Sequence, residues 1–379
     1  MIKRALQNIL QQRLTSSDKV IILYGPRQVG KTTLVRELLT QVEGRKLEIN
    51  ADLMQYAQVL SSRDLSKLKG LTAGYDIIFI DEAQRIQEIG INLKILHDHL
   101  PHLKLVVTGS SSLDLASKVR EPLTGRTWSH HLYPISLGEL AATRNRFELD
   151  VMLGELLLFG AYPAIFSIEN FDEKRAYLTE LTNSYLYKDV LELGNIRNAP
   201  KMRDLLRLLA YQIGSEVSIN ELSNKLELHR DAVINYIDLL EKAFVIFRLS
   251  GYSRNLRKEI SRHDKIFFWD LGVRNALIEN FLPLENRSDG GKLWENFLLA
   301  ERIKSQSNKL QHANRYFWRT YTGAELDYVE ERDGVLRGFE FKFSQKTAKP
   351  PAAWINTYPN SSFMTINKEN YFDFLIPES

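Results

Sequence analysis

Eight consecutive residues, Gly25-Pro26-Arg27-Gln28-Val29-Gly30-Lys31-Thr32, follow directly on the apolar run Val20-Ile21-Ile22-Leu23. The spacing is GxxxxGK[ST], set between a buried strand and a helix. The glycines let the backbone curl until its N–H groups face a phosphate chain. A helix from Thr32 to about Leu39 adds the positive end of its dipole. Lys31 reaches the β- and γ-phosphates, the Thr32 hydroxyl holds a Mg²⁺ ion, and Thr33 closes the binding stretch. A Gly-rich turn with no ligand is the alternative, but strand, loop and helix are all in register. The residues predict a nucleoside triphosphate site with ATP and Mg²⁺ as cofactors.

A second run supplies carboxylates. Ile77-Ile78-Phe79-Ile80 ends in Asp81-Glu82, fifty residues beyond Lys31. Asp81 is expected to hold the Mg²⁺ water shell, and Glu82 to orient or deprotonate the attacking water. The pair points to hydrolysis rather than to binding alone. A third run ends in Thr108-Gly109-Ser110-Ser111-Ser112, where a hydroxyl can sense the γ-phosphate or cap the next helix. Thr108, Ser110 and Ser111 all stand as candidates. Arg120 and Arg126 follow, and Arg126, just before another strand, is the choice for an arginine acting in a neighbouring subunit's site.

Positioning these groups requires an α/β layer fold. Apolar, β-prone runs lie at about Val20–Tyr24, Lys46–Ile49, Ile77–Ile80, Leu105–Thr108 and Trp128–Tyr133, with helical patterns such as Glu88–Leu100 between them. Alternation of this kind predicts a mainly parallel sheet. The 379 residues allow two or three domains. No apolar run approaches the roughly 20 residues of a membrane span, and the N-terminus has no apolar stretch like a signal peptide. Cysteine is absent, which removes thiolate chemistry and fits a cytoplasmic protein. A net charge of +3 is too small to argue for nucleic acid, so local clusters must carry that argument.

The order G-P-R-Q-V-G-K-T, F-I-D-E-A-Q, V-V-T-G-S-S, then L-T-G-R before Y-P-I-S-L-G-E-L resembles a family of bacterial and archaeal AAA+-type ATPases. Its members carry a C-terminal domain similar to restriction endonucleases. Phe159-Gly160-Ala161-Tyr162-Pro163 resembles the family's G-G-[YF]-P segment, and Phe268-Trp269-Asp270-Leu271-Gly272 its strand ending in D-x-G. The resemblance covers nearly the whole chain. It implies a P-loop domain over 1–135 followed by a helical lid over 136–200.

Residues 201–289 read as a winged helix-turn-helix with a basic segment. A helix at about Met202–Ile213 precedes a short helix capped by Ser218 or Asn220. A turn at Leu228-His229-Arg230 leads to a helix whose Val233, Ile237 and Leu240 face inward, and Phe244–Phe247 suits the wing. His229, Arg230 and Asn235 would then face DNA. Arg248, Arg254, Arg257, Lys258, Arg262 and Lys265 fall within 18 residues, a stripe suited to a phosphate backbone or to solvent. ATPase, lid and winged helix in this order also resemble Holliday-junction branch-migration motors.

Residues 290–379 hold Asp327, Glu340 and Lys342 in the pattern D-x12-E-x-K, with Glu295 upstream on a helix. Alternation puts Glu340 and Lys342 on one strand face and the phenylalanines on the other. The pattern resembles the PD-(D/E)XK nuclease core, with Leu326 where the proline would stand. By that resemblance Asp327 and Glu340 are metal ligands, Lys342 the catalytic lysine and Glu295 an accessory ligand. The sequence thus predicts a homo-oligomeric ATPase, a hexamer among the allowed sizes. It binds and remodels or translocates on DNA, duplex or branched, with a nuclease domain whose activity stays open. The alternative is a nucleotide-gated regulatory or defence switch acting on protein partners.

Overall fold

The computed structural model describes residues 2–110, 123–186, 198–253 and 263–376. It divides into two compact units. The first runs to Pro134 and takes in Lys242–Phe244, and the second holds the rest of the described chain from Ile135 onward.

The first unit is built on strands β1 (Val20–Tyr24), β2 (Lys46–Asn50), β3 (Ile77–Asp81), β4 (Lys104–Gly109) and β5 (Thr127–His131). All pairings are parallel, in the order β2-β3-β4-β1-β5. β1 is buried along its whole length, which explains a continuous apolar run rather than an alternating one. β2 lies at the sheet edge and exposes most of its residues. β4 separates the loop-bearing strand from the carboxylate-bearing one. The C-terminal ends of β1, β4 and β3 therefore lie side by side, with Leu23 beside Thr108 and Val107 beside Ile80.

In the second unit, the stretch read as a lid begins with helices Leu137–Ala141 and Arg146–Phe159. Each starts with a reciprocal capping box, Ser136 with Glu139 and Asn145 with Glu148. Leu153, Leu156, Leu157, Leu178 and Leu181 are buried, as their helical spacing requires. Helices Ala199–Tyr211, Ile219–Leu226 and Arg230–Lys242 follow. Ser218 is the cap of the middle one, and Val233, Ile237 and Leu240 are buried.

The wing strand differs from its expected place. Phe244 takes a left-handed conformation (φ 58°), and the strand starts only at Ile246. Strand β6 (Ile246–Gly251) pairs antiparallel with β7 (Lys265–Phe268) and parallel with β8 (Asn314–Arg319). It is thus an inner strand of a six-stranded sheet, β11-β10-β9-β8-β6-β7. The remaining members are β9 (Glu325–Arg332), β10 (Val335–Phe341) and β11 (Ser362–Ile366). β9 and β10 form a hairpin, closed by Asp333 and Gly334, both at positive φ (54° and 77°).

Two segments distant in sequence interlock here. Asp270 caps helix Leu271–Leu277 by accepting the Val273 N–H at 3.0 Å, and it accepts the Ala161 N–H at 2.7 Å. Gly160 sits at φ 68°, where a Cβ would lie 2.1 Å from Asp270 Oδ1. A Cβ on Gly272 would meet the Phe159 carbonyl oxygen at 2.1 Å. The F-G-A-Y-P and D-L-G segments are therefore one joint, closed by backbone contact that only glycine permits. Asp270→Ala removes the acceptor of two buried N–H groups and is expected to cost about 2–4 kcal/mol. Gly160→Ala should also destabilise. Far-UV circular dichroism melts check both, and unchanged midpoints would refute the joint.

Candidate functional site

The loop between β1 and helix Lys31–Thr40 has the form its sequence predicts. A Cβ on Gly25 would stand 2.2 Å from the Leu132 carbonyl oxygen, so this glycine is demanded by close approach of two backbones. Gly30 caps the helix at φ 92°. Lys31 is buried, and its Nζ donates to the Gly25 and Pro26 carbonyl oxygens, each at 2.9 Å. The ammonium thus lies folded over the loop, within reach of any phosphate the loop cradles. Pro26, Arg27, Gln28 and Val29 form the loop crest, with Gln28 at positive φ (61°). Arg4, which sequence reasoning missed, donates to the Val29 carbonyl at 2.7 Å and the Tyr133 carbonyl at 2.6 Å. Nothing in the pattern around Arg4 marks it, because its partners are backbone atoms distant in sequence.

Asp81 ends β3 beside this loop. Its Oδ2 accepts the Thr32 hydroxyl at 2.8 Å, and its Oδ1 accepts the Thr108 hydroxyl. Both oxygens are therefore held by neutral donors that leave the carboxylate its charge. Glu82 follows in a left-handed conformation (φ 55°), which turns the chain sharply out of the strand. Gln84 Nε2 donates to Glu82 Oε2 at 2.6 Å and to Ser110 Oγ at 2.9 Å. Gln84 was not singled out by sequence, although it lies in the D-E-A-Q run. Thr33 lies one residue along the helix. Ser111 and Arg120 lie outside the described residues. The loop, the lysine and the Thr32–Asp81 pair fit a nucleoside triphosphate with Mg²⁺: the ammonium and helix N-terminus meet phosphate charge, while hydroxyl and carboxylate supply hard oxygen donors.

Arg126 stands at the other end of the same sheet. Its carbonyl accepts the Val20 N–H at 2.9 Å, and its Nε pairs with Asp98 Oδ1 at 2.8 Å. Val20 and Tyr24 are separated by four strand steps, about 13 Å. Arg126 is therefore remote from the loop of its own chain.

The C-terminal constellation in the second unit has a different character. Asp327 and Glu340 lie on the paired strands β9 and β10, and Glu295 on helix Gly290–Asn308. Asp327 Oδ2 accepts the Phe341 N–H at 2.7 Å, and Lys342 Nζ donates to Glu340 Oε1 at 2.7 Å. Lys265, expected in the basic stripe, is instead buried, with its Nζ 3.3 Å from Glu295 Oε1. The alternation Lys265-Ile266-Phe267-Phe268 gave no sign of this, because all four residues are buried. Burial pushes Glu295 well above the ordinary carboxylate range, with Lys265 opposing the rise. Burial, with Glu340 adding to it, pushes Asp327 up to about 6. Burial alone would lower Lys265, but Glu295, Asp327 and Glu325 together hold it above the usual lysine value. Among the described residues no group of three or more acidic or histidine side chains is gathered as a metal-holding set. An ammonium thus already lies among these carboxylates.

His229, Arg230 and Asn235 are exposed at the turn and on the following helix. Arg254, Arg257 and Lys258, with Arg262, lie outside the described residues. Arg248 is half-buried and bound by Glu241 (2.8 Å from Nε) and Asp238 (2.9 Å). No helix among the described residues is long and apolar enough to cross a membrane.

Fold and site together define an AAA-type P-loop ATPase domain. An AAA domain matches residues 17–141, and domains of unknown function match residues 151–285 (DUF8612) and 290–361 (DUF4143). An uncharacterized protein of Mycobacterium tuberculosis is 32% identical over 327 residues, covering 85% of this chain and 70% of that one. An uncharacterized protein of Methanocaldococcus jannaschii is 25% identical over 313 residues, covering 75% and 70%. The Walker-type ATPase structure of Pyrococcus abyssi superposes with a TM-score of 0.50 at 16% identity, over 73% of this chain and 96% of that one, which is a likeness of fold. The chain belongs to the family of the mycobacterial protein, with its AAA domain toward the N-terminus.

The raised Asp327 pKa has a stability consequence. The folded carboxyl keeps its proton more tightly than the unfolded one, so its contribution is present at low pH and lost as pH rises through about 6. Most of the fall in the second unit's melting midpoint should therefore lie between about pH 4 and 6. Asp327→Asn should flatten that slope in circular dichroism melts, and an equally steep slope would refute the assignment.

Proposed function

We propose that this chain hydrolyses ATP and uses the cycle as a switch on macromolecular partners. The observation that carries the reading is Asp81, shared between the Thr32 and Thr108 hydroxyls beside the Lys31 loop. Loop N–H groups and Lys31 would bind the phosphates, and Thr32 and Asp81 would hold Mg²⁺. That ion would neutralise charge on the β- and γ-oxygens. Glu82 orients the water and takes its proton at the carboxylate. Gln84 links Glu82 to Ser110, so the base and the strand-end hydroxyl share one hydrogen-bonded unit. Lys31→Ala should lose binding of a fluorescent ATP analogue. Glu82→Gln should bind it normally while turnover falls about 10²–10⁴-fold, the usual worth of a general base. Full turnover by Glu82→Gln would remove the assignment.

We assign Arg126 to a neighbouring subunit's site, which makes the active species a homo-oligomer. Its distance from its own loop supports this, since it has no access to the phosphates of its own chain. Mixing Arg126→Ala with Lys31→Ala should restore part of the ATPase activity that each lacks alone, because mixed interfaces pair an intact loop with an intact arginine. A mixture no more active than its components would count against it.

For the load, protein partners are the reading that charge favours. The pair of helices over residues 218–242 carries three cations (Lys225, Arg230, Lys242) against five carboxylates (Glu221, Glu227, Asp231, Asp238, Glu241). Two cations of the basic stripe, Arg248 and Lys265, are neutralised internally. A DNA-binding face needs a surplus of positive charge. DNA remodelling or translocation, with the C-terminal domain as a Mg²⁺-dependent nuclease, is the second reading. The helix-turn-helix order, the exposed His229, Arg230 and Asn235, and the remaining basic residues Arg254, Arg257 and Lys258 support it. ATP turnover measured with duplex, forked and four-way DNA at low salt separates the two. No change and no binding favours the protein switch, and stimulation with a steep salt dependence favours DNA.

A further inference from the structure

We infer that Lys265 takes the electrostatic place of a divalent cation, so that Glu295 and Asp327 are closed by the protein's own ammonium and, with Glu340 held by Lys342, recruit no Mg²⁺. This deepens the reading of the second unit as a transmitting rather than a cleaving body, and rests on that reading.

Each of the three carboxylates already has an oxygen engaged: Glu295 by the buried Lys265 at 3.3 Å, Asp327 by the Phe341 N–H at 2.7 Å, and Glu340 by the more exposed Lys342 at 2.7 Å. Mg²⁺ demands near-octahedral oxygen ligands at about 2.0–2.1 Å and gives up its waters reluctantly. It would also have to sit beside an ammonium buried in the same field, which like-charge repulsion opposes.

Lys265 is not a surface side chain that swings away to admit an ion. It opens β7, its backbone pairs with Leu249 of β6 and bridges to Glu216, and its Nζ lies 5.3 Å from the centre of the Phe317 ring. Its side chain is 9% exposed and that of Glu295 13%. Glu295 is equally confined, since a Cβ added at Gly214 would stand 3.2 Å from its Oε2. Lys342, the lysine of the E-x-K pattern, is a separate group on the neighbouring strand end. The cluster therefore holds two ammonium groups against four carboxylates once Glu325, which shares the field of Lys265, is included.

The test is Mn²⁺ binding to the nucleotide-free full chain, read by electron paramagnetic resonance. Comparing wild type with Asp327→Asn separates this cluster from any ion held at Thr32 and Asp81. The expected result is equal Mn²⁺ stoichiometry in the two. Lys265→Met should gain one Mn²⁺ per chain, and the double variant Lys265→Met/Asp327→Asn should lose it again. Mn²⁺ bound by wild type and lost in Asp327→Asn would overturn the inference, as would a folded Lys265→Met that gains nothing. The first comparison decides the matter even where Lys265→Met does not fold. ATP turnover of Lys265→Met, measured in parallel, reports on the ATPase reading independently.

Discussion

The carboxylate of Asp81 is the point on which the first unit turns. Inserting β4 between β1 and β3 brings three strand ends together, and in that order one side chain accepts from both Thr32 and Thr108. A parallel sheet carries its connections at its ends, so the loop after β1 and the turn after β3 necessarily open on the same edge. The glycines of the loop answer to this arrangement: Gly25 passes within van der Waals distance of the Leu132 backbone, just beyond β5 on the other side of β1. The catalytic edge is thus fixed by sheet order before any side chain is chosen.

The second unit is organised instead by buried charge. Asp289 joins Arg274 at 2.6 Å and Arg287 at 2.8 Å, while Glu330 receives Arg302 and Gln306 at 3.1 and 2.7 Å. Such pairs add little net stability, since desolvation offsets much of their attraction, but breaking one strands an ion in low dielectric. They fix which helix meets which strand. Asp270 shows the principle in miniature: a buried carboxyl, raised in pKa by its burial, binds the Ala161 and Val273 amides and so joins two segments about 110 residues apart.

This division explains what was legible in the sequence. The five strands of the first unit were found within one or two residues, most directly β1, β3 and β4, because buried parallel strands read as unbroken apolar runs bounded by polar turns. The phosphate loop, Asp81 and Glu82 were found because their spacing is local. Long-range partners were not. Arg4 reaches backbone carbonyls, Gln84 reads as one more polar residue after the acidic pair, and Lys265 looked basic and solvated until β7 buried it. The full pairing of the wing strand was hidden for a related reason. Its apolar run was correctly seen as β, but the pairing of β6 with β8 spans some sixty-five residues and leaves no local trace.

Asp81 and Asp327 make the same distinction from opposite sides. Asp81 ends β3 and Asp327 lies inside β9, each with an acidic residue close by in sequence, and sequence pattern assigned both to metal. Around Asp81 the close donors are hydroxyls, which orient the carboxylate without cancelling its charge, so the negative potential stays available for a cation that arrives with the phosphates. Around Asp327 the field is met from within the fold by Lys265, a cation buried on another strand. Whether an acidic constellation is a metal site is therefore decided less by the carboxylates than by the charge of what holds them. A D-x12-E-x-K spacing reports only the carboxylates and one lysine. The residue that changes its meaning lies sixty-two positions upstream of Asp327 on another strand.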